Sequence, residues 1–375
     1  MKILLDGHML GQNQSGIERY WKNLAENLQK KNNVELILYS NQKKKYLSNF
    51  KQLSFFTPAI RNGLYRVLFG FSSAENIFEP DLIHVSNFTP FIKKSPVVTT
   101  VHDLGFKNSP QNFSLLSKII FNLFFKRSLD NSDAIICVSD RIRQELIKSY
   151  PKMINKTTVI YEAPDPVFNF IANKKNVIDF LEKNFELKDK YFLVVGDIRP
   201  RKNPIPVIKA FLSLEKKYPD IKLVLVGKNL MKNSLKNKYP NLIRSKKIIF
   251  TGYVSDAELN YLYNGALALI FNSVYEGFGL PILEAMACKT PVICSNIPVF
   301  REIASDAVLF VKKKSDIYKL MEKVLTSSDL RQKYEDLGLE RSKSFSWAES
   351  SERTIQIYKK VLFVRPKPVI PLIDY

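Results

Sequence analysis

Residues 272–287 read NSVYEGFGLPILEAMA, and this stretch decides how the C-terminal half of the chain folds. The apolar residues 266–271 (ALALIF) predict a strand that leads into it. An apolar helix is predicted from Pro281, because the N–H that proline lacks would have no partner in the first helical turn. Between strand and helix, Gly277 and Gly279 predict a turn whose backbone amides approach a ligand at the positive end of the helix.

Two glutamates flank this glycine turn. Glu276 is expected in the turn itself and Glu284 one turn into the helix, so that both carboxylates face one ligand from opposite ends. That arrangement suits an extended polyhydroxylated molecule with a phosphate in its middle. Spacing alone leaves an alternative open, since a glutamate on a helix is usually a solvated surface residue.

Short β-branched segments alternate with helical patterns along the chain, which predicts parallel sheets with helices on both faces. The strands predicted in the first half are residues 3–6, 34–39, 82–85, 97–101, 134–138 and 157–161. Those predicted in the second half are residues 191–195, 222–226, 248–250, 266–271, 291–294 and 308–311. Two such series predict two Rossmann-like domains, joined by a linker within residues 163–177, where Pro164 and Pro166 interrupt any helix.

Length and composition agree with a two-domain protein. A chain of 375 residues with 45% hydrophobic residues can build two cores of ordinary size. The longest apolar runs are shorter than the 18 residues of a membrane span, and the N-terminal MKILLDGHML is predicted to be a strand rather than a signal peptide. Cys137, Cys288 and Cys294 lack the paired spacing of a zinc site, so we expect buried thiols of a cytosolic protein.

The net charge of +21 calls for an anionic partner or a compositional explanation. Nucleic acid is not expected, because the lysines are scattered and no nucleic-acid-binding module is recognisable. Residues 41–130 carry an excess of basic side chains, at Lys43, Lys44, Lys45, Lys51, Arg61, Arg66, Lys93, Lys94, Lys107, Lys118, Lys126 and Arg127, interleaved with Phe55, Phe56, Tyr65, Phe69 and Phe71. Two interpretations stay open, a surface that docks on an anionic membrane leaflet and a solvated lysine-rich face.

A second candidate ligand site follows the strand predicted at residues 191–195. Gly196 and the segment DIRPRKN, residues 197–203, lead into a helix predicted from Pro204, with Asn203 as its N-cap. Arg201 and Lys202 therefore come just before a helix N-terminus, where a diphosphate is already favoured. An Arg-Lys pair in a loop is, on its own, most often solvated.

The whole string E-G-F-G-L-P-x-x-E-A-M-A resembles the signature of the family 4 retaining nucleotide-sugar glycosyltransferases, and P-R-K-N resembles their phosphate-binding segment. The resemblance implies the GT-B fold, an α/β architecture of two Rossmann-like domains whose parallel sheets face an interdomain cleft. It implies an N-terminal acceptor-binding domain over residues 1–165 and a nucleotide-sugar-binding domain over residues 178–345. A closing helix over residues 346–363 is then expected to cross back to the N-terminal domain.

The resemblance also assigns roles in the C-terminal half. Glu284 would hold the ribose hydroxyls of the nucleotide and Glu276 the hydroxyls of the transferred sugar. Arg201 and Lys202 would neutralise the pyrophosphate and stabilise the departing nucleotide. The backbone amides that reach the phosphates and sugar would be those of Gly277, Phe278, Gly279 and Leu280, and the base would be bracketed by Gly252, Tyr253 and Val254. Ser255, with Glu258 three residues on, has the spacing of a helix capping box.

In the N-terminal half the resemblance is looser. The motif G-I-x-R-Y would place Gly16 near the donor phosphates and acceptor, and the segment V-H-D-L would place His102 against the transferred sugar as a catalytic-site residue. Asp103 would contact the sugar or the acceptor. Ser139 would lie on the acceptor side, with a simple cap of the next helix as the alternative.

The activity implied is a retaining, metal-independent hexosyl transfer, with no cofactor beyond the nucleotide diphosphate sugar that serves as donor. The motif set is most similar to mannosyltransferases that use GDP-mannose in bacterial O-antigen or capsule assembly. Rhamnosyl or other hexosyl transfer from dTDP or UDP donors, and a non-catalytic nucleotide-sugar-binding subunit, are the alternatives. The expected acceptor is a lipid-linked or lipopolysaccharide saccharide, and the expected location is the cytoplasm, with peripheral contact to the inner face of the membrane.

Overall fold

The structure, a computed structural model, describes residues 1–11, 16–40, 53–58, 60, 62–105, 115–232 and 245–364, with residues 115–121 described as backbone only. The chain divides into two compact units. The first consists of Met1–Glu162 together with Ser346–Tyr375, and the second is Ala163–Phe345. Each unit is built around its own parallel sheet.

In the part of the first unit that the structure describes, seven parallel strands form one sheet in the order β3-β2-β1-β4-β5-β6-β7. The strands are β1 (Lys2–Asp6), β2 (Glu35–Tyr39), β3 (Leu53–Phe56), β4 (Leu82–Ser86), β5 (Val97–Val101), β6 (Ala134–Cys137) and β7 (Thr157–Val159). The strand order reverses between β1 and β4, so the carboxyl ends of these two strands define the switch point where α/β sheets bind ligands.

The helices of this unit are α1 (Gly16–Leu28), α2 (Gly63–Tyr65), α3 (Phe71–Phe78), α4 (Leu115–Asn131) and α5 (Asp140–Ser149). A π-helical segment, Arg66–Gly70, connects α2 to α3, and a 3-10 turn, Pro151–Lys156, precedes β7. The inner face of α1 buries Tyr20, Trp21 and Leu24, which recur at helical spacing.

The second unit contains six parallel strands, as far as its described residues extend, in the order β10-β9-β8-β11-β12-β13. They are β8 (Lys190–Val195), β9 (Ile221–Val226), β10 (Ile248–Gly252), β11 (Ala268–Phe271), β12 (Val292–Ser295) and β13 (Leu309–Val311). Here the order reverses between β8 and β11. The carboxyl ends of β8 and β11 are therefore the switch point of the second sheet.

Helices cover both faces of this sheet. They are α6 (Lys174–Phe185), α7 (Pro204–Lys217), α8 (Asp256–Gly265), α9 (Leu280–Ala287), α10 (Pro298–Ala304), α11 (Asp316–Thr326) and α12 (Ser328–Ser342). One face of the core joins Phe192, Leu223 and Ile270 of the strands to Phe211 of α7 and Met321 of α11. A 3-10 turn, Pro200–Lys202, stands between β8 and α7.

The last helix, α13 (Trp347–Val364), belongs to the first unit and packs against α1. Its Tyr358 is fully buried, and the phenol oxygen lies 2.6 Å from Nδ1 of His84 on β4. Ser350 donates a 2.6 Å hydrogen bond to the carbonyl of Tyr161. These contacts fix the helix on a sheet whose strands lie far away in sequence.

The prediction of two parallel α/β sheets is confirmed, and each predicted strand is present with its ends moved by a residue or two. One strand was not predicted, β3, whose four residues are all only half-buried at the sheet edge. The three cysteines are free and buried, as expected. Among the helices that can be described, none combines the length and apolar character needed to cross a bilayer.

Among the residues that the structure describes between positions 41 and 130, the basic and aromatic side chains do not all lie on one surface. Phe71 is fully buried and packs on Tyr39 with ring centroids 4.8 Å apart, and Phe56 packs against the same core, so the prediction that they lie on the surface is wrong. Arg66 is buried in an ion pair with Asp6. These three side chains belong to the core of the first unit. Burial stabilises an aromatic ring, and an arginine can be buried when a carboxylate pairs with it.

Other members of the set make local contacts. Arg127 lies 3.7 Å from the ring centroid of Phe91, and Lys93 lies 3.3 Å from the carboxylate of Asp133. Leu64, in α2, and Phe69, in the π-helical segment, are 60% and 52% exposed, so two apolar side chains do lie on the surface here. Lys43, Lys44, Lys45, Lys51, Arg61, Lys107 and the side chain of Lys118 lie outside the described residues.

Candidate active site

The switch point of the second sheet brings together the two segments singled out in the sequence. The 3-10 turn Pro200–Lys202 follows β8, and residues 272–279 follow β11. The backbone N–H of Val274 donates a 3.0 Å hydrogen bond to the carbonyl of Arg201, and the side-chain amide of Asn272 donates one of 3.2 Å to the carbonyl of Asn203. These two hydrogen bonds hold the loops side by side.

Two cations and one carboxylate meet where these loops join. The Nζ of Lys202 lies 2.9 Å from Oε1 of Glu276, and a terminal nitrogen of Arg201 lies 3.7 Å from Oε2. The ammonium also sits 4.3 Å from the ring centroid of Phe271, the last residue of β11. All three charged side chains are at least three-quarters buried. We call Arg201, Lys202 and Glu276 the charged trio.

The charged trio carries a net positive charge. Burial alone would raise the pKa of Glu276, but the charges of Lys202 and Arg201 outweigh it and hold the pKa below the ordinary value of 4.5. Glu276 is therefore ionised at neutral pH, and two cations against one anion leave an excess of one positive charge. In a partly buried site this excess attracts a phosphate more strongly than it would in water.

Backbone conformation explains how Lys202 reaches Glu276. Gly196 follows β8 and has φ +109°, and a Cβ there would meet the Lys202 side chain at 3.2 Å, so glycine allows both the turn and the close approach of Lys202. The prediction that the Asn203 side chain caps α7 is wrong. Asn203 adopts the left-handed conformation, φ 49° and ψ 53°, and its N–H closes the preceding turn on the carbonyl of Pro200 at 2.9 Å. Asparagine tolerates that region better than most residues.

Glu284 lies one turn into α9, as predicted, and its side chain is fully buried. The hydroxyl of Tyr263, on α8, donates a 2.9 Å hydrogen bond to Oε2 of Glu284. Gly279 begins α9 at φ +126°, a conformation that strongly favours glycine. Tyr263 was not among the predicted site residues, because in sequence it is one more apolar residue of an amphipathic helix.

The loop after β10 lies at the same edge of the sheet. The carbonyl of Gly252 accepts a 2.8 Å hydrogen bond from the N–H of Gly227, which follows β9. Tyr253 is 52% exposed, whereas Val254 is buried. Ser255 caps α8, since its hydroxyl accepts from the N–H of Glu258 while its own N–H donates to that glutamate at 2.7 Å. The predicted capping box is confirmed.

In the first unit, His102 follows β5 and is almost fully buried. Its Nδ1 lies 3.2 Å from a carboxylate oxygen of Glu162, and its Nε2 lies 3.3 Å from the hydroxyl of Ser86. The ring of Tyr20 meets it edge-on, with centroids 4.8 Å apart. Both ring nitrogens thus have protein partners, and Glu162 was not among the predicted residues.

Of the other predicted residues of this unit, Asp103 and Ser139 follow the neighbouring strands β5 and β6, whereas Gly16 begins a helix. Asp103 closes a local turn by accepting a 2.9 Å hydrogen bond from the N–H of Gly105. Ser139, at the end of β6, is fully buried and accepts a 3.2 Å hydrogen bond from the N–H of Ile142, so it does cap α5. Its role near an acceptor stays a prediction. Gly16 is the first residue of α1.

Across the residues that the structure covers, no three or more histidine, cysteine, aspartate or glutamate side chains gather as a metal site would require. The carboxylates described above have protein partners instead. Glu276 pairs with Lys202, Glu284 accepts a hydrogen bond from Tyr263, and Glu162 lies within hydrogen-bond distance of His102.

Comparison with known proteins places these features in a family. A family model described as "Glycosyl transferases group 1" matches residues 178–341, and one described as "Glycosyltransferase Family 4" matches residues 14–167. The chain is 31% identical over 288 residues to the O-antigen chain mannosyltransferase B of Escherichia coli, covering 74% of each chain. It is 35% identical over 214 residues to the O-antigen chain mannosyltransferase RfbU of Salmonella typhimurium, covering 56% of this chain and 55% of the relative.

A solved structure shares the architecture. Anabaena Alr3699/HepE, determined in complex with UDP and glucose, superposes with a TM-score of 0.76 at 17% identity, covering 96% of this chain and 99% of the other. The chain therefore belongs to the family 4 glycosyltransferases, which have the GT-B fold. Its activity is that of a hexosyltransferase.

Proposed function

We propose that the protein is a retaining mannosyltransferase that uses GDP-mannose and extends a bacterial cell-surface polysaccharide of the O-antigen type. The observation that carries this proposal is the charged trio at the switch point of the second sheet. The names of the two enterobacterial relatives support mannose as the sugar and O-antigen as the product.

Donor binding is assigned to the second unit. Arg201 and Lys202 bind the diphosphate, and the excess positive charge of the trio favours it over a neutral ligand. A hydrogen bond to a charged group contributes about 1.5–3 kcal/mol. Glu276 then faces hydroxyls of the sugar, and Glu284, held by Tyr263, faces those of the ribose. The base is bracketed by Gly252, Tyr253 and Val254, and the amides of Gly277, Phe278, Gly279 and Leu280 face the phosphates and sugar.

The chemistry follows from leaving-group stabilisation. Negative charge develops on the diphosphate as its bond to the anomeric carbon breaks, and two preorganised cations stabilise it. The acceptor hydroxyl attacks the same face of the sugar, and its proton passes to the departing phosphate, so the anomeric configuration is retained. Each carboxylate has a binding role here, unlike the paired carboxylates of a double displacement. Catalysis then rests on positioning and electrostatics, without a metal ion or a further cofactor.

Sugar and acceptor contacts are assigned to the first unit. His102 meets the transferred sugar, Asp103 meets the sugar or the acceptor, and Gly16 and Ser139 lie toward the acceptor. A saccharide carried on a polyprenyl diphosphate or on lipid A is anionic and membrane-bound. The net charge of +21 and the exposed Leu64 and Phe69 support reversible docking of this unit on an anionic leaflet from the cytoplasmic side.

A thermal-shift panel tests the donor. GDP, UDP and dTDP are added at equal concentration, and GDP is expected to raise the melting temperature most, because a ligand at 100 times its Kd stabilises by about 2.7 kcal/mol. The variant Lys202→Ala should lose the shift, while Lys216→Ala, which removes an exposed cation of α7, should keep it. A larger shift with UDP or dTDP would indicate that the donor carries another hexose or rhamnose instead of mannose. No shift with any of the three nucleotides would contradict the proposed donor site.

Turnover is then measured with GDP-mannose and a mannose-containing acceptor in the presence of EDTA. Product NMR should show the α-configuration of the donor retained. Loss of turnover in chelator, restored by Mg²⁺ or Mn²⁺, would contradict the role given to the charged trio.

A further inference from the structure

A line of four buried polar side chains runs through the first unit behind the end of β5. The indole N–H of Trp21 donates to the hydroxyl oxygen of Ser86 at 2.9 Å, and that oxygen lies 3.3 Å from Nε2 of His102. On the other side of the ring, Nδ1 lies 3.2 Å from a carboxylate oxygen of Glu162. All four residues are less than 9% exposed. The four come from α1, the ends of β4 and β5, and the segment after β7.

Hydrogen-bond chemistry gives this line one direction. An indole N–H can only donate, so the Ser86 oxygen accepts from Trp21 and its own proton is left to point at Nε2 of His102. An ionised carboxylate can only accept, so Nδ1 of His102 must carry a proton toward Glu162. With a neutral imidazole protonated at Nδ1, every donor on the line faces an acceptor.

We propose that Glu162 is a positioning residue, which holds His102 in the Nδ1–H tautomer and fixes the plane of its ring. The edge-on contact with Tyr20 restricts the ring from a further side. Tyr20 is itself held by its hydroxyl, which lies 2.8 Å from that of Thr100 on β5. A ring clamped in this way brings residues 102 and 103 to the same position at the strand end in every turnover.

Glu162 also supplies charge. The inference rests here on the proposed function, in which His102 meets the transferred sugar while positive charge develops on its anomeric carbon. A buried carboxylate behind the imidazole makes the pair net negative, and in a water-poor site that charge stabilises a nearby cationic centre. Because this interaction grows toward the transition state, its loss should lower kcat rather than raise KM for the donor.

The tautomer is measured directly by long-range ¹H–¹⁵N correlation of the histidine side chains. The chain has only three histidines, His8, His84 and His102, so the spectrum can be assigned with one His102→Asn variant. In the wild-type protein at pH 8, His102 should show a protonated Nδ1 and an unprotonated Nε2. In Glu162→Gln, which keeps the shape of the side chain and removes its charge, the Nε2–H form should become populated.

Kinetics complete the test. Glu162→Gln should lower kcat at least about ten-fold with less than about a three-fold change in KM for GDP-mannose. Glu162→Asp, which restores a carboxylate, should recover part of that loss and the wild-type tautomer, and it also serves if the glutamine variant melts too low to assay.

Glu75→Gln is the matched control. Glu75 is an equally buried carboxylate of the same unit, which accepts the backbone N–H groups of Lys94 and Ser95. This variant should keep the wild-type tautomer and kcat. An unchanged tautomer in Glu162→Gln, or a loss of kcat no larger than that of Glu75→Gln, would overturn the inference. Failure of the proposed function would give a different result. GDP-mannose would then give no turnover, while the tautomer of His102 would still depend on Glu162.

Discussion

The hydroxyl of Tyr263 donates a 2.9 Å hydrogen bond to Oε2 of Glu284, and both side chains are fully buried. Tyr263 lies in the last turns of α8 and Glu284 in the first turns of α9, on either side of β11 in the chain. A buried carboxylate needs such a donor, because an ionised group without one is costly in a protein interior. The hydrogen bond therefore fixes the position of the Glu284 carboxylate.

The variant Tyr263→Phe tests this pair. A hydrogen bond to a charged group contributes about 1.5–3 kcal/mol, so its loss should weaken GDP binding by up to roughly one to two orders of magnitude. The melting temperature should fall as well, because the carboxylate loses a buried donor. Isothermal titration calorimetry measures the affinity. Tyr261→Phe is the control, since Tyr261 is on the same helix but stacks on Phe180, with ring centroids 3.8 Å apart. Equal GDP affinities for both variants would show that Tyr263 does not contribute to donor binding.

Glu284→Ala tests the ribose assignment. It removes a charge-assisted hydrogen bond of about 1.5–3 kcal/mol, so GDP affinity should fall by roughly one to two orders of magnitude. The loss should be much smaller for inorganic pyrophosphate, which has no ribose and is expected to bind through Arg201 and Lys202. Unchanged GDP affinity would refute the contact, and an equal loss for both ligands would indicate general damage to the loop.

A pH dependence of stability follows from the first unit. Burial alone would raise the pKa of Asp6, but the charges of Arg66 and His8 prevail and hold it well below its ordinary value of 3.8. A carboxyl group whose pKa is lowered by folding stabilises the folded state above pH 3.8 and loses this contribution as the pH falls further. The free energy of unfolding of wild type should therefore exceed that of Asp6→Asn most at neutral pH.

Urea melts at pH 7 and pH 3 measure this difference. Asp6→Asn should cost about 3 kcal/mol or more at pH 7, because it leaves the buried Arg66 without its counter-ion, and less at pH 3. Asp130→Asn, which removes an exposed carboxylate of α4, is the control and should change little at either pH. A penalty that grows on acidification would contradict the lowered pKa.

The strands and the two loops that carry the charged trio could be predicted from the sequence because their signals are local. Strands buried on both faces are apolar runs, and the charged trio lies in two short motifs that each follow such a run. The edge strand β3 escaped prediction because its residues are half-buried and carry no such run. The prediction for Asn203 was wrong because asparagine is favoured both as a helix N-cap and in the left-handed conformation. Asn203 adopts the left-handed conformation, between a 3-10 turn and α7.

Tyr263 and Glu162 could not be predicted, since each acts through a partner that only the fold brings near. Tyr263 is 21 positions from Glu284, and Glu162 is 60 positions from His102. Neither residue type is unusual in its local pattern, a buried tyrosine in an amphipathic helix and a glutamate before a proline-containing linker. The pairing of buried carboxylates with donors is a tertiary property, and it decides which candidate carboxylates are held in place.

The final prediction concerns docking on a membrane. Sedimentation with anionic and neutral vesicles should show binding to the anionic ones only, and release as salt shortens the Debye length from about 10 Å at 0.1 M to about 3 Å at 1 M. Changing Lys43, Lys44 and Lys45 to Glu should weaken binding, as each cation near the surface contributes about 1 kcal/mol, while GDP affinity should stay intact. Replacing Leu64 and Phe69 by Ser should weaken the vesicle binding that remains at high salt.

The chain offers a matched control for charge. Lys312, Lys313 and Lys314 form an equally long run of lysines in the sequence, all three exposed in the second unit, and changing them to Glu alters the net charge by the same amount. If the first unit carries the docking surface, this second variant should bind vesicles nearly as well as wild type. Equal losses in the two variants would mean that net charge alone governs binding, and equal binding of wild type to neutral vesicles would rule out an electrostatic docking surface.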